Sequence, residues 1–369
     1  RSGKYHLFRL ERRYNQQALP RVLISDLKEN LRSGNESVLG AELIREMGET
    51  INRGEQAILF INRRGTSRMA VCVECGESPS CPRCSANLTY HKANGRLMCH
   101  YCGHSEPLPS HCPSCGGALA FTGAGTQMVQ EEVQQSFPGV EVMRMDTDTV
   151  SAVNTHEALL DRFEQEKIPI LVGTQMVAKG LNLKNVTLAG VLDADMALYV
   201  DDFRASENTF DLITQVVGRA GRGETLGRAV IQTMTPNNPV LRLAAAQDYD
   251  GFYQMEISQR ELNHAPPYCD LLAVTFSALE EERAAGTAWR FRQSLERELP
   301  ALGQGEGFSL LGPAPTAIAR VNLYYRYRLT IAGRNSRPLR ELIGSLMRQA
   351  AKDRQNKGVS ISSDVNAYD

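Results

Sequence analysis

Cys72-Val-Glu-Cys75-Gly-Glu-Ser-Pro-Ser-Cys81-Pro-Arg-Cys84 opens a block that continues through Cys99-His-Tyr-Cys102 and Cys112-Pro-Ser-Cys115, placing eight of the nine cysteines in four Cys-x-x-Cys turns. Such a turn aims two thiolates at one point, and two facing turns complete a tetrahedral S4 site, so four turns make two sites. Zinc held this way has no open position for a substrate, and the chemistry expected is structural. The block decides the fold because of what surrounds it: upstream and downstream the chain alternates apolar strands with amphipathic helices, and the cysteines interrupt that alternation.

Spacing orders the pairs. Joining Cys72/Cys75 to Cys81/Cys84 leaves only residues 76–80 to reverse the chain, whereas joining Cys81/Cys84 to Cys99/Cys102 leaves residues 85–98, close to zinc-ribbon spacing. Those residues read as a hairpin, Leu88-Thr89-Tyr90, then the turn signal Asn94-Gly95, then Leu97-Met98. The outer pairs, Cys72/Cys75 and Cys112/Cys115, then close a second site around the first, a nested arrangement. Disulfides and a redox Cys-x-x-Cys are the competing uses; nothing suggests secretion, and cytosolic thiols stay reduced. His91, His100, His104 and His111 lie close enough to replace a ligand, but with eight cysteines present they read as surface histidines. Cys269 reads as a buried or incidental thiol.

Working outward, residues 1–20 read as a connecting segment. Strands are expected at Val22–Ser25, Ala57–Ile61, Val140–Met145, Ile170–Val172, Val186–Leu192 and Ala229–Met234. Helices are expected at Ala41–Asn52, Thr126–Ser136, Glu157–Gln165 and Thr209–Val217. This is an α/β pattern with a parallel sheet covered on both faces, spanning 21–265 with the zinc-binding insertion at about 70–117. Residues 236–262 read as mostly helical. Residues 266–369 change to strand, helix, strand, strand, helix, strand, the βαββαβ order of a ferredoxin-like α+β domain.

The 369 residues carry a net charge of −1 and ordinary hydrophobic and charged fractions, with no apolar run near the ~18 residues that span a bilayer. The start, Arg1-Ser-Gly-Lys-Tyr-His-Leu-Phe-Arg, lacks the core of a signal peptide. The expectation is a cytoplasmic protein, and an opening residue other than Met suggests a piece of something longer. Charge is uneven. Between 320 and 357 stand Arg320, Arg326, Arg328, Arg334, Arg337, Arg340, Arg348, Lys352, Arg354 and Lys357, against Glu341 and Asp353 and interleaved with Tyr324, Tyr325 and Tyr327. Clustered cations beside aromatics suit phosphate contact and base stacking; a solvated helix face with ordinary strand tyrosines is the other reading.

A second informative stretch is Gln215-Val-Val-Gly218-Arg219-Ala-Gly221-Arg222. Gly218 and Gly221 permit a tight turn that holds two guanidinium forks three residues apart, an arrangement suited to a triphosphate whose γ-phosphoryl group gains charge on transfer. Upstream lie Ile170-Leu-Val-Gly173-Thr174-Gln175-Met176-Val-Ala-Lys179-Gly180 and Ile58-Leu-Phe-Ile-Asn62-Arg63-Arg64-Gly65. All three segments follow or flank predicted strands, and open α/β sheets bind ligands at strand carboxyl ends.

In this order, with the four cysteine pairs between, these motifs resemble the RecA-like second motor lobe of superfamily 2 helicases, and in particular the primosomal protein N-prime family of replication-restart helicases. The resemblance covers nearly the whole chain, including Asp202-Phe203-Arg204-Ala205-x-Glu207 and Leu311-Gly312-Pro313-x-Pro315. Gln127 departs from it, since the family usually has Glu there. A Gly-x-x-x-x-Gly-Lys-Ser/Thr loop and an Asp-Glu-x-His box are absent from the sequence, so the expectation is a carboxyl-terminal half that does not hydrolyse ATP alone.

The resemblance implies a full protein that uses ATP and Mg to move 3′-to-5′ on DNA, acts at stalled or branched forks and starts primosome assembly. Gln215, Arg219 and Arg222 would face ATP held by another lobe, with Gly180, Gly218 and Gly221 shaping the nucleotide-facing backbone. Asn62, Arg63, Arg64, Thr174 and Gln175 would touch the tracking strand, and Arg326 and Arg328 branched DNA. The partners implied are branched and single-stranded DNA, single-stranded DNA-binding protein and primosome components, and no membrane. Without the other lobe, Arg219 and Arg222 are expected to be exposed or paired with Asp193 or Asp195. The alternatives are a zinc-dependent DNA-binding scaffold with a degenerate motor and an RNA-processing zinc protein.

Overall fold

The computed structural model describes residues 8, 18–32, 37–61, 69–72, 74–75, 77–91, 95–99, 101–122, 125–146, 155–174, 183–199, 202–221, 225–302 and 307–366. Their strands, in chain order, are β1 (Arg21–Asp26), β2 (Gln56–Ile61), β3 (Met69–Cys72), β4 (Thr89–His91), β5 (Arg96–Met98), β6 (Ser105–Pro107), β7 (Leu119–Thr122) and β8 (Val142–Met145). There follow β9 (Ile170–Gly173), β10 (Val186–Leu192), β11 (Arg228–Thr233), β12 (Asp270–Ala278), β13 (Ser309–Val321), β14 (Tyr324–Gly333) and β15 (Ser360–Val365). The chain packs as two compact units: residues 1–66, 124–200 and 205–252 form one, and residues 67–123, 201–204 and 253–369 the other.

The first unit is built on a six-stranded sheet in the order β1-β11-β10-β2-β9-β8, parallel at every pairing. Its central strands β2, β9 and β10 are buried, nearly continuous apolar runs because both faces are covered. Ala57, Leu59 and Ile61 of β2 enter one core with Leu43 and Met47 of the helix Ala41–Asn52 and Val129 and Val133 of the helix Thr126–Ser136. Ile58, one residue out of phase, enters the opposite core with Leu159, Leu160 and Phe163 of the helix His156–Gln165. The period of two thus sends alternate residues of one strand to separate cores, and each large side chain so buried contributes about 1.5–3 kcal/mol. Arg228 at the start of β11 anchors the helix Ala41–Asn52: its guanidinium donates to Glu46 Oε2 (2.6 Å), Glu49 Oε2 (3.2 Å) and Thr50 Oγ1 (2.9 Å).

The second unit holds the cysteine block and an antiparallel sheet in the order β13-β14-β12-β15. That is the ferredoxin-like order, with the helices Glu281–Glu298 and Arg337–Lys352 packing Ala288, Phe291, Leu295, Leu339, Ile343 and Leu346 against Val274, Phe276, Leu329 and Ile331. β13 runs through Gly312-Pro313 and Pro315 with register shifts on either side, which its edge position tolerates. In sequence the cysteine block lies between β2 and β8; in packing it groups with residues 253–369. Chain order alone assigned it to the motor lobe and placed the boundary near 265, whereas packing places it after 252. The 236–262 stretch divides into the helices Pro239–Ala246 and Tyr249–Leu262, because Gln247 adopts a left-handed conformation that caps the first.

Candidate metal centres and the arginine turn

The block enters and leaves on an antiparallel ribbon, β3 with β7, and between them β4, β5 and β6 form a small sheet. The four cysteine turns share one closure. The N–H of each first cysteine donates to the carbonyl five residues on: Cys72 to Glu77 (2.8 Å), Cys81 to Ala86 (2.9 Å), Cys99 to His104 (2.8 Å) and Cys112 to Gly117 (2.8 Å). Gly103 and Gly116, which follow second cysteines, take the left-handed φ values of 70° and 78° that the closure needs.

These turns bring Cys72, Cys75, Cys112 and Cys115 together in one cluster and Cys81, Cys84, Cys99 and Cys102 in another, each set of sulfurs lying within 4.8 Å of one another. The separations Cys72–Cys115 (3.4 Å), Cys75–Cys112 (3.7 Å) and Cys81–Cys102 (3.7 Å) are far beyond a disulfide bond of about 2.05 Å. They approach the edge of about 3.8 Å that a Zn–S distance of about 2.3 Å sets in a tetrahedron. Backbone N–H groups also point at sulfur, from Arg83 to Cys81 (3.4 Å) and from Asn322 to Cys84 (3.1 Å). The donor set therefore fits zinc.

The ionisation of these thiols is uneven. Cys112 is lowered to about 7, first by the N–H groups of Cys115 and Ser114. In Cys115 the Gly117 N–H favours the thiolate, but the Cys75 and Cys72 thiols outweigh it and raise it to about 12. Burial is the largest influence on Cys84 and Cys102; it prevails in Cys84, raising it to about 12, while the His104 N–H and neighbouring thiols bring Cys102 down to about 7. One thiolate forms at the expense of its neighbours, and a divalent cation is what lets four form together. Two of the histidines stay out: His104 contacts Glu106 (2.9 Å) and His111 contacts Ser110 (3.1 Å); the His91 side chain and His100 lie outside the described residues. Cys269 is half-buried, its thiol donating to the His264 carbonyl (2.6 Å).

The arginine turn follows the helix Ala205–Val217, whose end leaves Gln215 exposed. Gly218 donates to Thr214 O (2.9 Å), and Arg219 and Ala220 tighten to three-residue spacing on Val216 O (3.0 Å) and Val217 O (3.2 Å). Gly221 then donates to Val186 O (2.9 Å), the first residue of β10. At φ 71°, with the Gly227 backbone where a Cβ would stand, position 221 admits only glycine.

The turn therefore lies at the amino end of β10. Thr174, buried, follows the carboxyl end of β9. The common strand-end placement expected for the motifs is not what the helix produces, because it runs back across the sheet before turning. Arg219 is buried, not exposed, at 9%. Asp193 and Asp195 follow the far end of β10, and Asp195 accepts from Thr233 Oγ1 (2.7 Å) and the Met234 N–H (2.6 Å). Asn62, Arg63, Arg64, Gln175, Gly180 and Arg222 lie outside the described residues.

On the carboxyl-terminal sheet Tyr327 shares its strand face with Leu329 and Ile331, against the helices, and donates to Glu281 (2.8 Å). Arg326 and Arg328 point to the other face, where they pair with Ser277 and Thr275, which pair in turn with Ser360 and Ser362. That hydroxyl-lined face and the hairpin tip at Asn322-Leu323 were not singled out in the sequence; the alternating Ser/Thr of β12 and β15 is the signal that was available. Arg204 of the Asp202-Phe203-Arg204 motif donates to the Asn366 carbonyl (2.6 Å) and stacks on Phe203 (4.4 Å).

The chain matches three families: the Helicase conserved C-terminal domain over residues 116–224, the PriA DNA helicase Cys-rich region domain over 81–107, and the Primosomal protein N C-terminal domain over 261–367. Together with the parallel sheet and paired thiol clusters, these define a helicase carboxyl-terminal lobe of RecA-like class carrying a zinc-ribbon region. Similar curated proteins are the Replication restart protein PriA of Bacillus subtilis, 43% identical over 99% of this chain and 45% of that protein, and that of Synechocystis, 40% identical over 88% and 39%. The chain belongs to the PriA replication restart family, corresponds to its carboxyl-terminal part, and spans less than half the length of these relatives. Among solved structures, a Saccharomyces cerevisiae Dbp5 variant bound to RNA and ADP BeF3 aligns at 12% identity over 69% of this chain and 48% of that one, with a TM-score of 0.33.

Proposed function

We propose that this chain is the part of an ATP-dependent 3′-to-5′ DNA helicase that completes a nucleotide site on one edge and grips DNA elsewhere, restarting replication at stalled or branched forks by initiating primosome assembly. The observation that carries this reading is the 43% identity over 99% of the chain to a replication restart protein. The order of motor lobe, cysteine region and carboxyl-terminal domain supports it. In this reading Gln215, Arg219 and Arg222 face ATP and Mg bound by another lobe, with Gly180, Gly218 and Gly221 shaping the adjoining backbone. The residues after β2 (Asn62, Arg63 and Arg64) and after β9 (Thr174 and Gln175) meet the tracking strand, and Arg326 and Arg328 meet branched DNA. Two zinc ions, one per thiol cluster, hold the cysteine block. Single-stranded DNA-binding protein and primosome components are the partners, in the cytoplasm; no helix among the described residues is long and apolar enough to cross a membrane.

The test uses the complete protein. An Arg219→Ala, Arg222→Ala double variant should lose DNA-stimulated ATP hydrolysis by about 10³-fold or more, since an arginine stabilising the γ-phosphoryl charge contributes about 10³–10⁵ in rate. Zinc content and fork binding should persist, and lysine should not rescue it. Hydrolysis within a few-fold of wild type would refute the assignment.

A further inference from the structure

The four cysteine turns share the closure of their first cysteine and differ in the residue that follows the second. The second cysteine is followed by glycine in Cys75-Gly76, Cys102-Gly103 and Cys115-Gly116, but by serine in Cys84-Ser85. Where the glycine is described, its N–H folds back onto the first cysteine of its own turn, Gly103 to Cys99 O (2.9 Å) and Gly116 to Cys112 O (2.9 Å). Ser85 does otherwise: its N–H donates to the carbonyl of Arg320, 2.8 Å away on β13.

That bond is one of a set. The tip of the β13–β14 hairpin, Asn322-Leu323, lies against the same turn. Leu323 N–H donates to Arg83 O (2.7 Å), the Arg320 guanidinium donates to Pro82 O (3.2 Å), and Asn322 N–H donates to the Cys84 sulfur itself (3.1 Å). Val321 packs on the apolar patch that Leu88 and Leu97 form beside the inner thiols. Asn322 and Leu323 both take left-handed φ, 48° and 72°. For leucine that conformation is unfavourable and persists where surrounding contacts hold it. The two backbone N–H groups of this strained pair are the ones that reach the cysteine turn.

We propose that the inner metal centre is the seat of the β13–β14 hairpin: zinc on Cys81, Cys84, Cys99 and Cys102 fixes the hairpin tip through the Cys84 thiolate, and the tip in turn retains that zinc, while the outer centre has no such role. An N–H donated to a zinc-held thiolate is a charge-assisted bond, stronger than one donated to a neutral thiol, so zinc at this site strengthens the 3.1 Å contact from Asn322. Loading of the inner site and ordering of the tip are therefore one linked equilibrium, reciprocal by thermodynamic necessity. Because β14 continues from the tip into Arg326 and Arg328, zinc at the inner site also fixes the start of the strand that carries them. The proposal rests on the zinc reading of the thiols and is independent of the DNA reading.

The test reads both directions in the full chain. Amide hydrogen exchange should show the N–H groups of Ser85, Asn322 and Leu323 losing at least tenfold protection in Cys102→Ser, which opens the inner site. They should keep it in Cys75→Ser, which opens the outer one, with Val274 on β12 protected in both. For the reverse direction no cysteine is touched. Asn322→Val, poorly suited to positive φ, should release one of two zinc ions to a chromogenic chelator about tenfold faster, and shift the sulfur-to-metal band of the cobalt-substituted protein. Asn322→Gly, which keeps the turn, should behave as wild type. Tip amides equally protected in both cysteine variants, or equally exposed in both, would overturn the proposal, as would unchanged zinc release in Asn322→Val. Wild-type chain that bound no zinc at all would instead refute the metal reading beneath it.

Discussion

Two glycines of the first unit share a backbone conformation and differ in crowding, which separates the cost of conformation from the cost of space at the arginine turn. Gly54, after the helix Ala41–Asn52, has φ 68° and nothing within 4 Å of where a Cβ would stand. Gly221 has φ 71°, but its Cβ would meet the backbone N and Cα of Gly227 and would lie 3.2 Å from Thr225 O. Alanine at Gly54 should cost only the left-handed penalty, about 1–2 kcal/mol. At Gly221 the same penalty is joined by about 1–3 kcal/mol of overpacking, at the upper end because backbone rather than a flexible side chain must yield. Displacing the N–H held by Val186 O adds about 0.5–1.5 kcal/mol. The expected totals are about 1–2 and about 3–6 kcal/mol. Amides of β10 and β11, which exchange through opening of the whole sheet, report the difference directly. Protection should fall by roughly tenfold in Gly54→Ala and by about 10²–10⁴ in Gly221→Ala, at about 1.4 kcal/mol per decade. Equal losses would show that the turn is free to move, and the reasoning that the Gly227 backbone reserves position 221 for glycine would fail.

Replacing Arg228 by methionine should cost about 3–5 kcal/mol in urea unfolding, because Glu46, whose side chain is 7% exposed, loses the partner on its Oε2; a loss under about 1 kcal/mol would show that Arg45, which pairs with Glu46 Oε1 at 2.8 Å, suffices. Elemental analysis of protein purified without chelator should give two zinc ions per chain, released on acidification as protons compete for the thiolates, and one or none would refute the paired-site assignment. Reversing the charge of Arg326 and Arg328 should weaken DNA binding and flatten its salt dependence by about one unit of slope per lost phosphate contact; unchanged affinity and slope would return the cluster to a solvated surface.

The elements that were legible in sequence are those whose pattern is local. The continuous apolar runs of β2, β9 and β10 and the spacing of Leu43 and Met47 in the helix Ala41–Asn52 carry their own structure, and their residues appear where period predicts. Pairing of the cysteine turns was also local arithmetic, since residues 85–98 suffice for a hairpin and 76–80 do not. What stayed illegible depends on contacts distant in sequence. β13 runs from Ser309 to Val321 with Gly312-Pro313 and Pro315 inside it, residues that would break a central strand but that an edge strand tolerates. The seating of residues 320–323 on residues 82–85 joins segments more than 200 positions apart, and only the serine at position 85, where three sister turns have glycine, hinted at it. Arg219 was expected to be exposed or paired with Asp193 or Asp195 because its ligand was missing; its burial follows from the helix Ala205–Val217 ending against the sheet.

The same helix places the arginine turn and Thr174 at opposite edges of the sheet. β10 begins at Val186, whose carbonyl holds the arginine turn, and ends at Leu192. Seven strand residues at about 3.3 Å each separate the two edges by roughly 20 Å, beyond the reach of any side chain. Thr174, after β9, lies at the carboxyl edge; Gly218, Arg219 and Gly221 sit at the amino edge. One small ligand therefore cannot touch both groups. If the arginine turn meets a triphosphate, Thr174 at the opposite edge is left for a different ligand, and in the function proposed above that ligand is a strand of nucleic acid.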